Sequence, residues 1–142
     1  MDRRGLTTGV LVSLPFTLSV ALLCTTTGAD AFYARLAIVT MLAVFLVPMG
    51  LQVACGVRAF LRGGPLLRPL ANVTASYLAG AFAIMLAADA IVRLSGVKGA
   101  ALPAGLGGAA AEWVPIMLSL ASVPAMSGLV VVVGVAAARS RA

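Results

Sequence analysis

Histidine is absent from this chain of 142 residues, and cysteine occurs only twice, at Cys24 and Cys55. The lack of histidine excludes histidine-ligated haem, histidine metal sites and histidine general bases. Two cysteines are too few for a disulfide framework or a cysteine-rich metal site. The sequence also lacks a phosphate-binding loop and any nucleophile paired with a base. We therefore expect no enzyme activity, no metal and no cofactor.

Charge is scarce as well, because only 10% of the residues are charged and 62% are hydrophobic. The mean hydropathy of +1.13 is typical of an integral membrane protein. The net charge of +6 comes from arginines that flank apolar runs. This pattern orients helices in a lipid bilayer, so we expect no nucleic-acid partner. The preference for Arg, Ala and Gly over Lys indicates a bacterial protein, and hence the inner (cytoplasmic) membrane.

Four apolar runs divide the chain, over residues of about 6–27, 36–57, 69–92 and 113–138. Each run is long enough to cross about 30 Å of hydrocarbon as a helix. Segments that cross lipid must satisfy their own backbone hydrogen bonds, which favours helices. The sequence predicts an all-α integral membrane protein, a four-helix transmembrane bundle that forms a single membrane domain over residues 1–142.

The basic residues fall unequally on the two sides of this bundle. Alternating spans place three of them, Arg35, Arg93 and Lys98, on one side and seven on the other: Arg3, Arg4, Arg58, Arg62, Arg68, Arg139 and Arg141. Because cytoplasmic loops carry the excess of arginine and lysine, both termini are predicted to be cytoplasmic.

The first run has a second interpretation. A basic start followed by an apolar stretch and the small residues Ala29 and Ala31 fits a secretory signal peptide. Cleavage after Ala31 would leave three spans and an external N-terminus at Phe32. Both interpretations give the other three helices the same orientation.

Small residues predict where the helices pack closely. On the third run a broad face carries Asn72, Ser76, Ala79, Gly80, Ala83 and Ala87, and on the fourth run Gly128 offers a further point of close approach. Gly5 and Gly9 form a GxxxG pattern that is too short to carry a prediction alone. Gln52 and Asn72 fall at similar depths and are predicted to form a hydrogen bond between helices. Pro15, Pro48 and Pro124 predict kinks within their runs.

Asp89 is the first candidate for ion or proton handling, because an ionisable residue within a span is a functional hypothesis by default. Arg93 follows four residues later, at the spacing of an ion pair on one helix face. The third run is long enough for its last turn to reach the lipid headgroups. We interpret Asp89 and Arg93 as an interfacial ion pair, with proton or cation handling as the alternative.

Glu112 is the second candidate, since it shares a helix face with Ser119 and Ser122. A carboxylate above two hydroxyl groups could begin a polar path. The alternative is that the serines bond their own backbone, as serine in membrane helices commonly does.

Together these features predict a small multi-pass protein that acts as an accessory or assembly subunit of a larger membrane complex. Its partners would be other membrane subunits or further copies of itself. The alternative is a small homo-oligomeric channel or transporter for protons, cations or small solutes. A third possibility is an exported subunit that is processed after Ala31.

Overall fold

A computed structural model describes the backbone of residues 2–25, 31–94 and 106–141. The side chains of residues 21, 23–25, 88, 89, 91–94, 106–114 and 116 lie outside this description. The described residues form four helices and no strand: α1 (Arg3–Thr25), α2 (Ala31–Arg62), α3 (Leu67–Leu94) and α4 (Leu106–Arg141). The prediction of an all-helical protein is confirmed for the residues that the structure describes.

Three segments are long and apolar enough to cross a membrane: Ala31–Arg62, Leu67–Ala87 and Met117–Arg141. The protein is therefore a membrane protein with three candidate spans among the described residues. Helix α1 is not one of the three, and it begins with two arginines. That α1 also crosses the membrane remains a prediction.

The helices are not arranged in their order along the chain. Helix α1 packs most extensively against α3 and less extensively against α2, whereas α4 lies mainly against α2. Among the described residues, α1 and α4 do not touch. The centre of the bundle is thus formed by α2 and α3, with α1 and α4 on opposite flanks.

A short turn at Gly63 and Gly64 joins α2 to α3. Gly63 has a φ of 65°, a left-handed conformation that favours glycine. Gly63 N–H donates to Phe60 O at 3.3 Å and Gly64 N–H donates to Ala59 O at 3.2 Å, which completes a Schellman cap. Arg139 of α4 then donates through Nη2 to Ala59 O at 2.8 Å and to Gly64 O at 2.7 Å. The end of α4 is thereby bonded to the end of α2.

The start of α1 is bonded to α3 in a similar way. Asp2 caps α1, since its Oδ1 accepts the backbone N–H of Arg4 at 3.1 Å. The backbone N–H of Asp2 donates to Ser76 Oγ at 2.8 Å. The starts of α1 and α3 and the ends of α2 and α4 therefore meet at one end of the bundle. We call it the arginine end, after the arginines that it carries: Arg3, Arg4, Arg58, Arg62, Arg68, Arg139 and Arg141.

Candidate functional site

Helices α1 and α3 meet in a close backbone contact, which we call the glycine seam (Gly5, Gly9, Ser76 and Gly80). A Cβ atom added to Gly80 would lie 2.5 Å from Leu6 O, and one added to Gly5 would lie 2.7 Å from Val73 O. A Cβ atom on Gly9 would overlap the carbonyl group of Tyr77. The two backbones touch, which only glycine permits at these positions.

The small-residue face predicted on α3 is split between two environments. Ser76 and Gly80 are buried in the glycine seam. Asn72 and three of the predicted alanines are exposed on the surface of the bundle: Ala79, Ala83 and Ala87. With Ala75, which is also exposed, these alanines form a row at four-residue spacing, which we call the alanine ridge (Ala75, Ala79, Ala83 and Ala87).

The buried side chain of Gln52 joins three helices, α2, α3 and α4. Gln52 of α2 is only 1% exposed. Its Nε2 donates to Thr74 Oγ1 of α3 at 2.9 Å and to Pro124 O of α4 at 2.7 Å. Its Oε1 accepts a hydrogen bond from Ser127 Oγ. Every polar atom of the Gln52 carboxamide is thus satisfied, and we call this group the Gln52 cluster (Gln52, Thr74, Pro124 and Ser127).

The predicted partner of Gln52 was wrong. Thr74 accepts its hydrogen bond, whereas Asn72 is exposed. The two positions are separated by about 200° around a helix that turns 100° per residue, so depth alone could not choose between them. The expectation that Gln52 bonds across to α3 is nevertheless confirmed.

Two glycines allow α2 and α4 to approach each other around this cluster. Gly128 is buried, and a Cβ atom at this position would lie 3.4 Å from Gln52 Nε2. One added to Gly56 would lie 2.6 Å from Val131 Cγ1. Gly128 follows Pro124 by one helical turn, and Gly56 follows Gln52 by one turn. The predicted close-packing residue Gly128 therefore lies where it leaves space for the Gln52 carboxamide.

Tyr77 of α3 satisfies a carbonyl group that Pro48 leaves without its helical donor. In a regular helix the N–H of residue 48 would donate to the carbonyl of Val44, but proline has no N–H. Tyr77 OH donates to Val44 O at 2.7 Å instead. Tyr77 and Pro48 are both fully buried. This bond compensates for the missing backbone hydrogen bond within a candidate span, where water cannot do so.

We expect Tyr77→Phe to lower the free energy of unfolding by about 1 kcal/mol, because it leaves Val44 O without a donor. In a Pro48→Ala background the same substitution should cost much less, since the alanine supplies a backbone N–H that can bond Val44 O. Unfolding of the four variants in mixed detergent micelles, analysed as a double-mutant cycle, measures this coupling. Equal effects of Tyr77→Phe in both backgrounds would contradict the assignment.

The candidates for ion handling are Asp89 with Arg93 on the third run and Glu112 on the fourth. The side chains of Asp89, Arg93 and Glu112 lie outside the described residues, so both the ion pair and its alternative stay predictions. On α4, Ser119 Oγ donates to Pro115 O at 2.8 Å and Ser122 Oγ donates to Ser119 O at 2.7 Å. Both serines are exposed on the surface of the bundle and bond their own helix.

Within the described residues, no three or more His, Cys, Asp or Glu side chains are grouped so that they could hold a metal ion. Comparison of the chain with protein-family models, with curated proteins and with solved structures gives no match. The chemistry of the described residues is that of helix packing: backbone contact at the glycine seam, a satisfied carboxamide at the Gln52 cluster and an exposed alanine ridge.

Sequence reasoning missed the roles of Gly9 and Tyr77. The signal for the glycine seam was available, because Gly5 and Gly9 on α1 have the same four-residue spacing as Ser76 and Gly80 on α3. A tyrosine in one span and a proline in another gave no comparable signal. Their relation depends on the register between α2 and α3, which the sequence does not state.

Proposed function

We propose that the protein is an accessory or assembly subunit of a larger membrane complex and that it joins its partner through the alanine ridge of α3. The observation that carries this proposal is the exposure of the ridge on a candidate span. Rows of small residues let a second helix approach closely enough for extensive van der Waals contact.

The buried glycines support the same proposal, because each of them already contacts another helix of this chain. Gly5, Gly9 and Gly80 are occupied by the contact between α1 and α3, and Gly56 and Gly128 by the contact between α2 and α4. The alanine ridge takes part in neither contact. It is a small-residue surface that this chain leaves open to another membrane helix.

The proposal includes a bundle of four spans in a bacterial inner membrane, with the arginine end in the cytoplasm. The positive-inside tendency supports this orientation. The glycine seam supports retention of α1, because cleavage after Ala31 would uncover Ser76 and Gly80. Ala31 is also the first residue of α2.

We expect Ala79→Leu/Ala83→Leu to release the chain from its complex without unfolding it, because the added side chains keep a partner helix at a distance. In mild detergent extracts of the native membrane, the wild-type chain should migrate at a larger size than the purified chain of 14.3 kDa in the same detergent, and the variant should migrate with the purified chain. The measurement is native electrophoresis with detection of this chain.

The matched control is Ala54→Leu/Ala125→Leu, which enlarges two exposed alanines on α2 and α4. It should leave the complex intact. A wild-type chain that migrates as a free monomer would refute the proposal. So would a proton or cation flux into liposomes that Asp89→Asn abolishes, since that result assigns the protein to the channel alternative.

A further inference from the structure

A groove at the arginine end of the bundle is lined by two arginines. The groove encloses about 690 Å³ between the start of α1, the end of α2 and the start of α3. Its walls combine the cationic side chains of Arg58 and Arg68 with the amide of Asn72 and the apolar surfaces of Pro69 and Val73. We call it the arginine groove.

The arginines of this groove are free to bind a ligand. Arg58 and Arg68 are exposed, and their side chains make no hydrogen bond or ion pair within the described part of the chain. Arg62 is also exposed, and its side chain likewise makes no hydrogen bond or ion pair within the described part of the chain. Together with Arg58 it lines an adjoining pocket of about 150 Å³. Arg139 differs, because its guanidinium group is already bonded to Ala59 O and Gly64 O.

Asp2 also lines the groove and brings a negative charge. Its carboxylate is engaged by the first turn of α1, through the N–H of Arg4. Two arginines in the same groove outweigh this one carboxylate. The positive ends of the α1 and α3 dipoles and the negative end of the α2 dipole meet here and offset one another in part, so the arginines set the sign of the potential.

The position of the groove distinguishes a lipid from a soluble anion. Arg58 lies one turn before the end of the candidate span Ala31–Arg62, and Arg68 lies in the first turn of the candidate span Leu67–Ala87. These positions correspond to the headgroup level of a bilayer. Apolar surface continues along the same face of α2 toward the membrane centre, at the exposed Ala54 and the half-buried Leu51. Acyl chains can lie on this surface.

We propose that the arginine groove binds the phosphate of an anionic glycerophospholipid, with Arg58 and Arg68 donating to the phosphate oxygens. Guanidinium groups bind phosphate in a bidentate geometry, and basic pockets between membrane helices are suited to anionic headgroups. This site is separate from the alanine ridge, so it stands whether or not the protein is an assembly subunit.

The test measures lipid binding by the purified full-length protein in detergent. Native mass spectrometry with added phosphatidylglycerol should show a bound lipid, and phosphatidylcholine should bind more weakly. Arg58→Gln/Arg68→Gln should weaken phosphatidylglycerol binding roughly tenfold. The control Arg3→Gln/Arg4→Gln removes the same charge from the same end of the bundle but outside the groove, and it should change binding less than about twofold.

Cys55 provides a second measurement that needs no variant, because it lines the groove and is partly exposed. Phosphatidylglycerol should slow the alkylation of Cys55 by a water-soluble maleimide several-fold, as followed by peptide mass spectrometry. Equal losses of binding in the two arginine variants would overturn the proposal, as would unchanged alkylation of Cys55. Equal protection by inorganic phosphate would overturn the assignment to a lipid.

Discussion

Gly9→Val separates α1 from α3 and lowers the free energy of unfolding by about 3 kcal/mol or more, whereas Gly9→Ala costs about 1–3 kcal/mol. The reason is that any Cβ atom at this position overlaps the carbonyl group of Tyr77. A carbonyl group in a helix cannot move aside as the end of a flexible side chain can. Relief therefore requires the whole helix to shift, which also removes the contacts of Gly5 and Gly80. Unfolding in mixed micelles with increasing dodecyl sulfate, followed by circular dichroism, gives the free-energy difference.

Gly50 and Gly134 provide matched controls for this experiment. Both lie within helices, and an added Cβ atom meets nothing within 4 Å at either position. Alanine there should be neutral or should stabilise the helix by about 0.5–1 kcal/mol, because glycine loses more backbone freedom on folding. If Gly9→Ala behaved like Gly50→Ala, the close contact between α1 and α3 would be refuted.

Gln52→Ala is expected to cost about 2–4 kcal/mol, because it leaves a cavity and removes the hydrogen bonds that join three helices. Gln52→Leu restores most of the volume and should cost about 1 kcal/mol, since the bonds of Gln52 to three helices are lost while Ser127 Oγ still donates to Pro124 O at 3.1 Å. The difference between the two variants separates the contribution of packing from that of hydrogen bonding. The same unfolding measurement applies.

Thr40→Val is a suitable control for the Gln52 variants. Thr40 is a hydroxyl residue on the same helix, but its Oγ1 donates only to backbone oxygens of its own helix, at Leu36 and Ala37. Its removal should change the unfolding free energy by less than about 0.5 kcal/mol. A loss from Gln52→Leu as small as that from Thr40→Val would show that the Gln52 cluster contributes little to stability.

The helices were predictable from the sequence because lipid imposes a simple rule, which is that long apolar runs between charged residues become helices. The runs at 36–57 and 69–92 lie within α2 and α3, and the run at 113–138 lies within α4. Grouping of the arginines was predictable for the same reason. Helix number and direction determine which loops share a side, and no knowledge of packing is needed.

The neighbours of each helix were not predictable, because a run of apolar residues can present several faces to several partners. Projection of α3 correctly placed Ser76 and Gly80 on one face, yet it added Ala79, Ala83 and Ala87, which are exposed. Small side chains predict that another helix can approach α3 closely, but they do not identify which helix does so. The pairing of Gln52 with Thr74 and of Tyr77 with Val44 likewise depends on a register that only the folded bundle defines.

The glycine seam also sets an order for biogenesis. Its two halves, on α1 and α3, are separated in the chain by the whole of α2, so the seam cannot close while only the first two helices have left the ribosome. In the proposed four-span arrangement, the bare backbone at Gly5 and Gly9 then lies against lipid or against the insertion machinery until α3 enters the bilayer. A nascent chain stalled after Arg62 should therefore remain crosslinkable to that machinery through α1, and synthesis through Leu94 should release it.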